Sequence, residues 1–415
     1  MKTIAFFVPQ YHQIPLNDKY WGEGFTEWVN VRNAKPLFEG HVQPKIPLDN
    51  NYYNLLDKKT KIWQKNLAKK YGIYGFCYYH YWFNGKMLLE KPCEQILEDP
   101  EIDLPFCFCW ANEAWSMEWT GKKTVIMPQF YGNKKEWKEH WDYLVKFFKD
   151  DRYICVDGKP LLVIYRPESI ECLSEMLAYW RELAEKEGFP GIVFMNQSAE
   201  FMLDDRKDHS QIDYEIEYEP INSRKSLGKN KFAHLKQLRR DVLSFCEKKF
   251  GWDFRRHGNY LMMKATNMQR PSYDEAWEDI LTRKPHGNNS IPCAFVDWDN
   301  SPRYHERGQV YIGATPEKFR KYFSEQIKRT KEVYHKDMMF IFAWNEWGEG
   351  GYLEPDELNK YGYINIDKKN KTSKSNIFAG GDIAGEKSTV AWAARSGRNA
   401  AMSIIEYLEN KKELI

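Results

Sequence analysis

The chain has 415 residues and balances 61 Lys and Arg against 59 Asp and Glu, so neither a basic stripe for nucleic acid nor an acidic docking arm stands out. Its longest apolar runs are of strand length, short of the roughly 20 residues a membrane helix needs, and the opening MKTIAFFVPQYH reaches Pro9 and Gln10 too early for a signal peptide. We therefore expect a cytoplasmic protein without a membrane span or a nucleic-acid partner, long enough for one barrel-sized domain or two ordinary ones. Oligomeric state is left open.

Cys77, Cys107, Cys109 and Cys293 fall inside apolar runs, where a free thiol is a small core residue, and no Cys-x-x-Cys pair or His cluster offers a metal site. Aromatic residues make up 16% of the chain, and many sit in short polar clusters just after apolar runs. Sugar-binding clefts have that composition, because flat rings pack on the C–H faces of pyranoses while polar neighbours take the hydroxyls.

In chain order, residues 3–8 form a first strand-like run that opens into Gln10, Tyr11 and His12. The aromatic, aperiodic stretch from Trp21 through Glu27 to Trp28 then reads as a binding loop. A helix over 58–71 leads to a second strand-like run, 73–79, ending in His80, Tyr81 and Trp82. The third, 104–110, ends in Trp110, Asn112, Glu113 and Trp115. Runs at 161–165, 192–195 and 212–218 follow, the last with Glu215 and Glu217 alternating along it. If these two share a facing they point into the barrel and need a partner such as Arg166. The seventh run, 291–296, ends in Asp297, Trp298 and Asp299, and the eighth begins at Met338. Helices are expected over 135–148, 174–187, 232–250, 273–283 and 316–333, the last started by Thr315 as cap and Pro316 at the first helical position. Eight strands alternating with helices, with polar or aromatic clusters at the strand ends, predict a (β/α)8 barrel over 1–365. The connection over about 221–260 is longer than one helix needs and reads as an insertion after the sixth strand.

The eighth run delivers the most informative stretch, Trp344-Asn345-Glu346-Trp347-Gly348-Glu349-Gly350-Gly351. Two carboxyls three residues apart converge if the backbone turns between them, which is the equipment for cleaving a glycosidic bond: one carboxyl kept protonated, the other ionised. A solvated helix face also produces Glu-x-x-Glu, but the three glycines argue against a helix and the two indoles against a wet surface. Asp297-x-Asp299 offers a different chemistry, divalent metal on a nucleotide-sugar diphosphate; within a barrel, however, those aspartates more naturally bind sugar hydroxyls. His12, His80, Asn112, Glu113 and Trp115 are candidate sugar ligands by their place after strands, as is Glu27 in the aromatic loop. Tyr11, Trp28, Trp82, Trp110 and Trp347 are candidate platforms, and Asn345 is a candidate contact.

Seven motifs in one order, VPQYHQIPLND, WGEGFTEWVNV, YGIYGFCYYHYWFNGK, FCFCWANEAW, VDGKPLLVIYRP, VDWDNSPR and FAWNEWGEGGYLEPD, resemble the WbsX family of polysaccharide-locus proteins over roughly residues 3–365. Members of that family carry both glycosyltransferase and family-99-like glycoside hydrolase labels. The resemblance implies a barrel related to the endo-α-mannosidases of glycoside hydrolase family 99. There the first Glu of a Glu-x-x-Glu pair takes the proton of the sugar 2-hydroxyl, which closes on the anomeric carbon; the second is acid, then base. Carried here, Glu346 takes the first role and Glu349 the second, with retention of configuration. A 2-hydroxyl trans to the leaving group is required, as in α-mannosides and α-rhamnosides. Neither metal nor cofactor is implied. A glycosyltransferase of surface-polysaccharide assembly and a non-catalytic sugar-binding module stand as alternatives.

Residues 366–415 read as a separate tail. TSKSNIFAGGDIAGEKSTVAWAARSGRNAAMSIIEYL resembles the FAD-contacting C-terminal segment of glutamate-synthase-type oxidoreductases, with Asp382 as the flavin-contacting acid. The dinucleotide fingerprint is missing, and Glu386 displaces the lysine a phosphate loop needs, so a strand and a helix over 388–410 without flavin are expected.

Overall fold

The computed structural model describes residues 1–117, 124–197, 210–228, 268–358, 397–405 and 407–408. These fall in two units, Met1–Lys45 with Tyr52–Glu354, and Ile46–Asn51 with Pro355–Ile415. In the first, eight strands run parallel: β1 (Lys2–Phe7), β2 (Gly75–Phe83), β3 (Phe106–Trp110), β4 (Lys159–Ile164), β5 (Val193–Gln197), β6 (Tyr214–Glu217), β7 (Ser290–Phe295) and β8 (Met338–Phe342). Each bonds to the next, and Ile4 of β1 pairs with Gly75 of β2 on one side and Phe340 of β8 on the other, so the sheet closes on itself. This is the (β/α)8 barrel that the alternation predicts.

The strands are near-continuous apolar runs because each is covered on both faces. Inward residues of one layer meet across the barrel: the Phe6 ring packs against Tyr79, Tyr218 and Phe340. Outward ones meet the helices α1 (Lys58–Lys70), α2 (Lys91–Glu98), α3 (Lys134–Phe148), α4 (Leu173–Lys186), α5 (Ile221–Gly228), α6 (Tyr273–Thr282) and α7 (Pro316–Glu332). Phe295, for example, lies flat against Trp277 of α6. Local chemistry marks the helix starts. Asn133 and Glu136 close a capping box on α3, and the Thr315 hydroxyl accepts from the Lys318 N–H ahead of Pro316 on α7. Cys77, Cys107, Cys109 and Cys293 are buried, as their apolar neighbours predict.

Three expectations change. Short helices, Pro15–Trp21 and Glu27–Asn33, flank the aromatic stretch after β1 and leave residues 22–26 as its loop, and α2 was not foreseen. Glu215 and Glu217 face outward, because Ile216 and Tyr218 take the inward positions of β6. Glu217 accepts from the Tyr334 hydroxyl and the His286 N–H, both at 2.8 Å, and Glu215 meets His286, while Arg166 pairs with Glu113 instead. The helix expected over 232–250, most of the expected insertion and most of the tail lie outside the described residues.

In the second unit, Pro47 and Asp356 form a bridge, the Leu48 N–H donates to the Pro355 carbonyl, and residues 397–405 are helical. No helix among the described residues is long and apolar enough to cross a membrane.

Candidate active site

β8 ends in a loop that its own side chains hold rigid. Asn345 is fully buried; its Oδ1 accepts from the Val8 N–H at 2.8 Å and its Nδ2 donates to the Val8 carbonyl at 3.0 Å. Tyr11 completes the splint, donating its hydroxyl to the Asn345 carbonyl at 2.8 Å and accepting from the Trp347 N–H at 3.1 Å. The chain then makes a single 3-10 turn over Trp347–Glu349 and leaves it through Gly350 at φ 68°, a left-handed position where a Cβ would also lie 2.8 Å from the Asp299 backbone nitrogen. Trp347 stacks on Tyr352, ring centroids 3.7 Å apart, and its indole N–H donates to Glu354 at 2.8 Å. This turn sends Glu346 and Glu349 into one cavity at the C-terminal end of the barrel.

There a third carboxyl joins them. Arg303, from the short helix Ser301–Tyr304 after β7, donates from Nε to Glu27 at 2.8 Å and from Nη2 to Glu346 at 3.0 Å, and its Nη1 lies 3.0 Å from Glu349. Three carboxyl groups thus share one guanidinium, each on a different nitrogen. Burial pushes Glu346 up to about 8, Arg303 pulls it down, and Glu349 and Glu27 raise it again. Glu349 is raised too, again by burial first and against Arg303. Three acids against one base in a poorly solvated space cannot all be ionised cheaply, and the Glu346–Glu349 pair accordingly holds protons more tightly than ordinary carboxyls. Gly348, between the two glutamates, is the close-approach point, where a Cβ would collide with Glu27 Oε1 and lie 2.9 Å from Arg303 Nε.

The cavity encloses about 280 Å³, near the lower end of the ~300–1,000 Å³ of small-molecule sites. Tyr79, Tyr165, Tyr218 and Phe342, from the uppermost inward layer of the barrel, form its floor, while Trp21, Phe25, Tyr81 and Trp115 line it from the loops. Polar groups sit among the rings. Gln10 donates to the Tyr81 hydroxyl at 3.0 Å, and Asn17, only 3% exposed, lines the cavity with a carbonyl oxygen that has no hydrogen-bond partner among the described residues.

Of the candidates singled out in the sequence, Glu27, Glu113, Trp115, Glu346 and Glu349 line this cavity, Glu113 in an ion pair with Arg166 at 2.8 Å. The remaining candidates do not reach it. Strand parity turns His80, Trp82 and Trp110 outward under α3 and α4. His80 Nε2 lies 3.0 Å from His140 Nε2, Trp82 lies parallel on the His140 ring at 4.5 Å, and Trp110 donates to the Trp82 carbonyl. Burial lowers His80 to about 3 and His12 to about 4, so both are neutral core histidines. Asn112 clamps the Arg166 backbone from both sides, and the Trp28 indole donates to the Tyr53 carbonyl. Tyr11, Asn345 and Trp347 brace the loop rather than meet a ligand. Asp297 accepts from the Trp298 N–H at 2.8 Å.

Asp299 is also committed, and against expectation. Burial raises it, but donation from His41, Gln43 and Ser301 outweighs that and leaves it below the usual carboxylate range. His41 Nε2 at 2.9 Å and Gln43 Nε2 at 2.6 Å both meet Oδ2, and the Ser301 N–H meets Oδ1 at 3.0 Å, so Asp299 is a structural bracket. Sequence reasoning missed Arg303, Asn17 and the tyrosine floor. Arg303 closed the motif VDWDNSPR, and a buried arginine beside an acid-rich strand end was the available signal.

Residues 3–366 match the family described as Glycosyltransferase WbsX. Two relatives, both the uncharacterized protein WxcX of Xanthomonas campestris pv. campestris, are 32% and 31% identical over 384 residues, which is 90% of this chain and 50% of theirs. The chain therefore spans about half the length of the curated relatives it matches. Among solved structures, the GH99 endo-alpha-mannosidase from Bacteroides thetaiotaomicron aligns over 99% of this chain and 98% of its own at 13% identity and a TM-score of 0.45. A glycoside hydrolase-like protein aligns over 86% and 87% at 11% identity and a TM-score of 0.47. The match across nearly the whole barrel, with the two relatives above 30% identity, means that the chain belongs to the WbsX family of carbohydrate-active enzymes.

Proposed function

We propose that this chain is a glycoside hydrolase that cleaves a bond within a poly- or oligosaccharide, with Glu346 and Glu349 as the reacting carboxyls. The observation that carries the reading is their convergence, with raised proton affinity, on one aromatic-lined cavity at the strand ends of the barrel. Rings such as Tyr79 and Trp115 suit the apolar faces of a pyranose, and Asn17 suits a hydroxyl donor. Glu349, with a side chain 20% exposed against 7% for Glu346, is the better placed to protonate a leaving oxygen and then to activate water. Glu346 then takes the proton of the 2-hydroxyl, which closes on the anomeric carbon, and opening by water retains configuration. That base role requires Glu346 ionised, against the direction in which burial pushes it, so the pair exchanges its proton as a unit when sugar arrives.

The test is cleavage of α-mannosidic and α-rhamnosidic oligosaccharides, followed by reducing-end release. E346Q and E349Q should each lose about 10²- to 10⁴-fold. Undiminished cleavage in either variant would remove the assignment. A substrate with an activated leaving group separates the roles, since it should remain a substrate for E349Q but not for E346Q. The family description favours a second reading, transfer from a nucleotide sugar in surface-polysaccharide assembly. The commitment of Asp299 to three donors weakens its Asp-x-Asp rationale.

A further inference from the structure

We propose that Arg303 and Glu27 form a charge-balancing clamp that positions Glu346 and Glu349 and sets the proton affinity of that pair. The purpose of the clamp rests on the hydrolase reading of this cavity; its geometry does not. Each nitrogen of the guanidinium meets a different carboxyl, and the three acids come from two separate segments, the first turn of Glu27–Asn33 and the loop after β8. The guanidinium presents donors on three separate nitrogens in one fixed plane, whereas a lysine supplies the charge and its three donors from a single nitrogen, without the fork. Glu27 occupies the Nε edge, and its Oε1, which accepts from Arg303 Nε, also accepts from Asn30 Nδ2 at 3.2 Å. The glycine at 348 is the second, independent sign, for any side chain there would occupy the space of Glu27 Oε1 and Arg303 Nε.

The other ionisable groups lining the cavity are Glu113, whose charge is balanced by Arg166 at 2.8 Å, and phenols. Tyr11 and Tyr81 face Glu346, and Tyr165 and Tyr218 face Glu349; burial lifts all four above the ordinary phenol range, so they stay neutral. Net charge in the cluster is therefore set by one guanidinium against three carboxyls. Removing Glu27's charge should release the proton at lower pH, and removing Arg303's charge should hold it to higher pH, each by about one to three units for neighbours at this range.

The experiment needs no substrate. Infrared difference spectra of the intact protein, taken across pH, follow the C=O stretch of a protonated carboxyl, assigned by its loss in E346Q. The midpoint should fall in E27Q, rise in R303Q and return toward wild type in R303K, with near-UV circular dichroism verifying the fold of each. An unmoved midpoint in folded E27Q and R303Q, or no band lost in E346Q, would overturn the clamp. If R303Q does not fold, the isosteric E27Q alone decides between a fall and no change. Shifted midpoints in a protein that cleaves no glycan would leave the clamp standing and remove the hydrolase reading.

Discussion

Gly348→Ala is the sharpest single perturbation of this site. Gly348 is not at a left-handed position, so alanine costs nothing in backbone conformation there, and the whole effect comes from one methyl group. That methyl would overlap Glu27 Oε1 and lie 2.9 Å from Arg303 Nε and 3.1 Å from Cζ. Neither neighbour can step aside without cost, because Arg303 holds three carboxyls and Glu27 Oε1 accepts from both Arg303 and Asn30. Overpacking a tight interior costs ~1–3 kcal/mol, and a lost hydrogen bond to a charged group costs ~1.5–3 kcal/mol. Together about 2.5–6 kcal/mol is expected, seen as a drop of several degrees in the unfolding midpoint. If the clamp also aims the carboxyls, a displacement of about 1 Å should lower kcat by about 10²-fold. Calorimetry and turnover on one preparation check both, and a variant that keeps wild-type stability and kcat would refute the packing argument.

E346Q should trade function for stability in a pH-dependent way. A carboxyl raised in the folded state contributes stability that is fully present below its unfolded value, near 4.5, and lost as pH rises through about 8. Thermal unfolding should therefore favour the glutamine variant increasingly from pH 6 to pH 9, with a slope of at most ~1.4 kcal/mol per pH unit; parallel curves would show that Glu346 does not titrate there. Asn17→Ala should raise KM about five- to tenfold with little change in kcat, since a cavity-lining carbonyl oxygen loses a ligand hydroxyl rather than a protein contact. An unchanged KM would place the sugar elsewhere in the cavity. For Asp299→Ala we expect a loss of ~3–5 kcal/mol in stability, because His41, Gln43 and Ser301 are left unpaired in the interior. Calorimetric titration of the wild type with a nucleoside diphosphate and Mn²⁺ should give no heat of binding, and saturable Mn²⁺-dependent binding would revive the transferase reading.

How much of this was legible in the residues depends on the kind of signal. Barrel strands are short runs of one chemistry, so Thr3 to Phe7 or Met338 to Phe342 stand out without any partner in view, and the cluster that follows each run marks the functional end. The meeting of Glu346 and Glu349 was legible for a related reason, since glycines and indoles around them forbade a helix and forced a turn. Facing was not legible. In a strand buried on both sides, alternation carries no polar–apolar contrast, so nothing in His80-Tyr81-Trp82 says that Tyr81 meets the cavity while its two neighbours lie under α3. One residue of parity decides between ligand and core, and the same slip applies to Glu215 and Glu217. Least legible was the clamp, because Glu27, Arg303 and Glu346 are far apart in the chain and only closure of the barrel brings β1, β7 and β8 side by side. The glycine at 348 did carry the information. Read as a helix breaker, it pointed to a turn; read as a missing side chain, it would have asked what fills the space above it, and the answer is the guanidinium of Arg303.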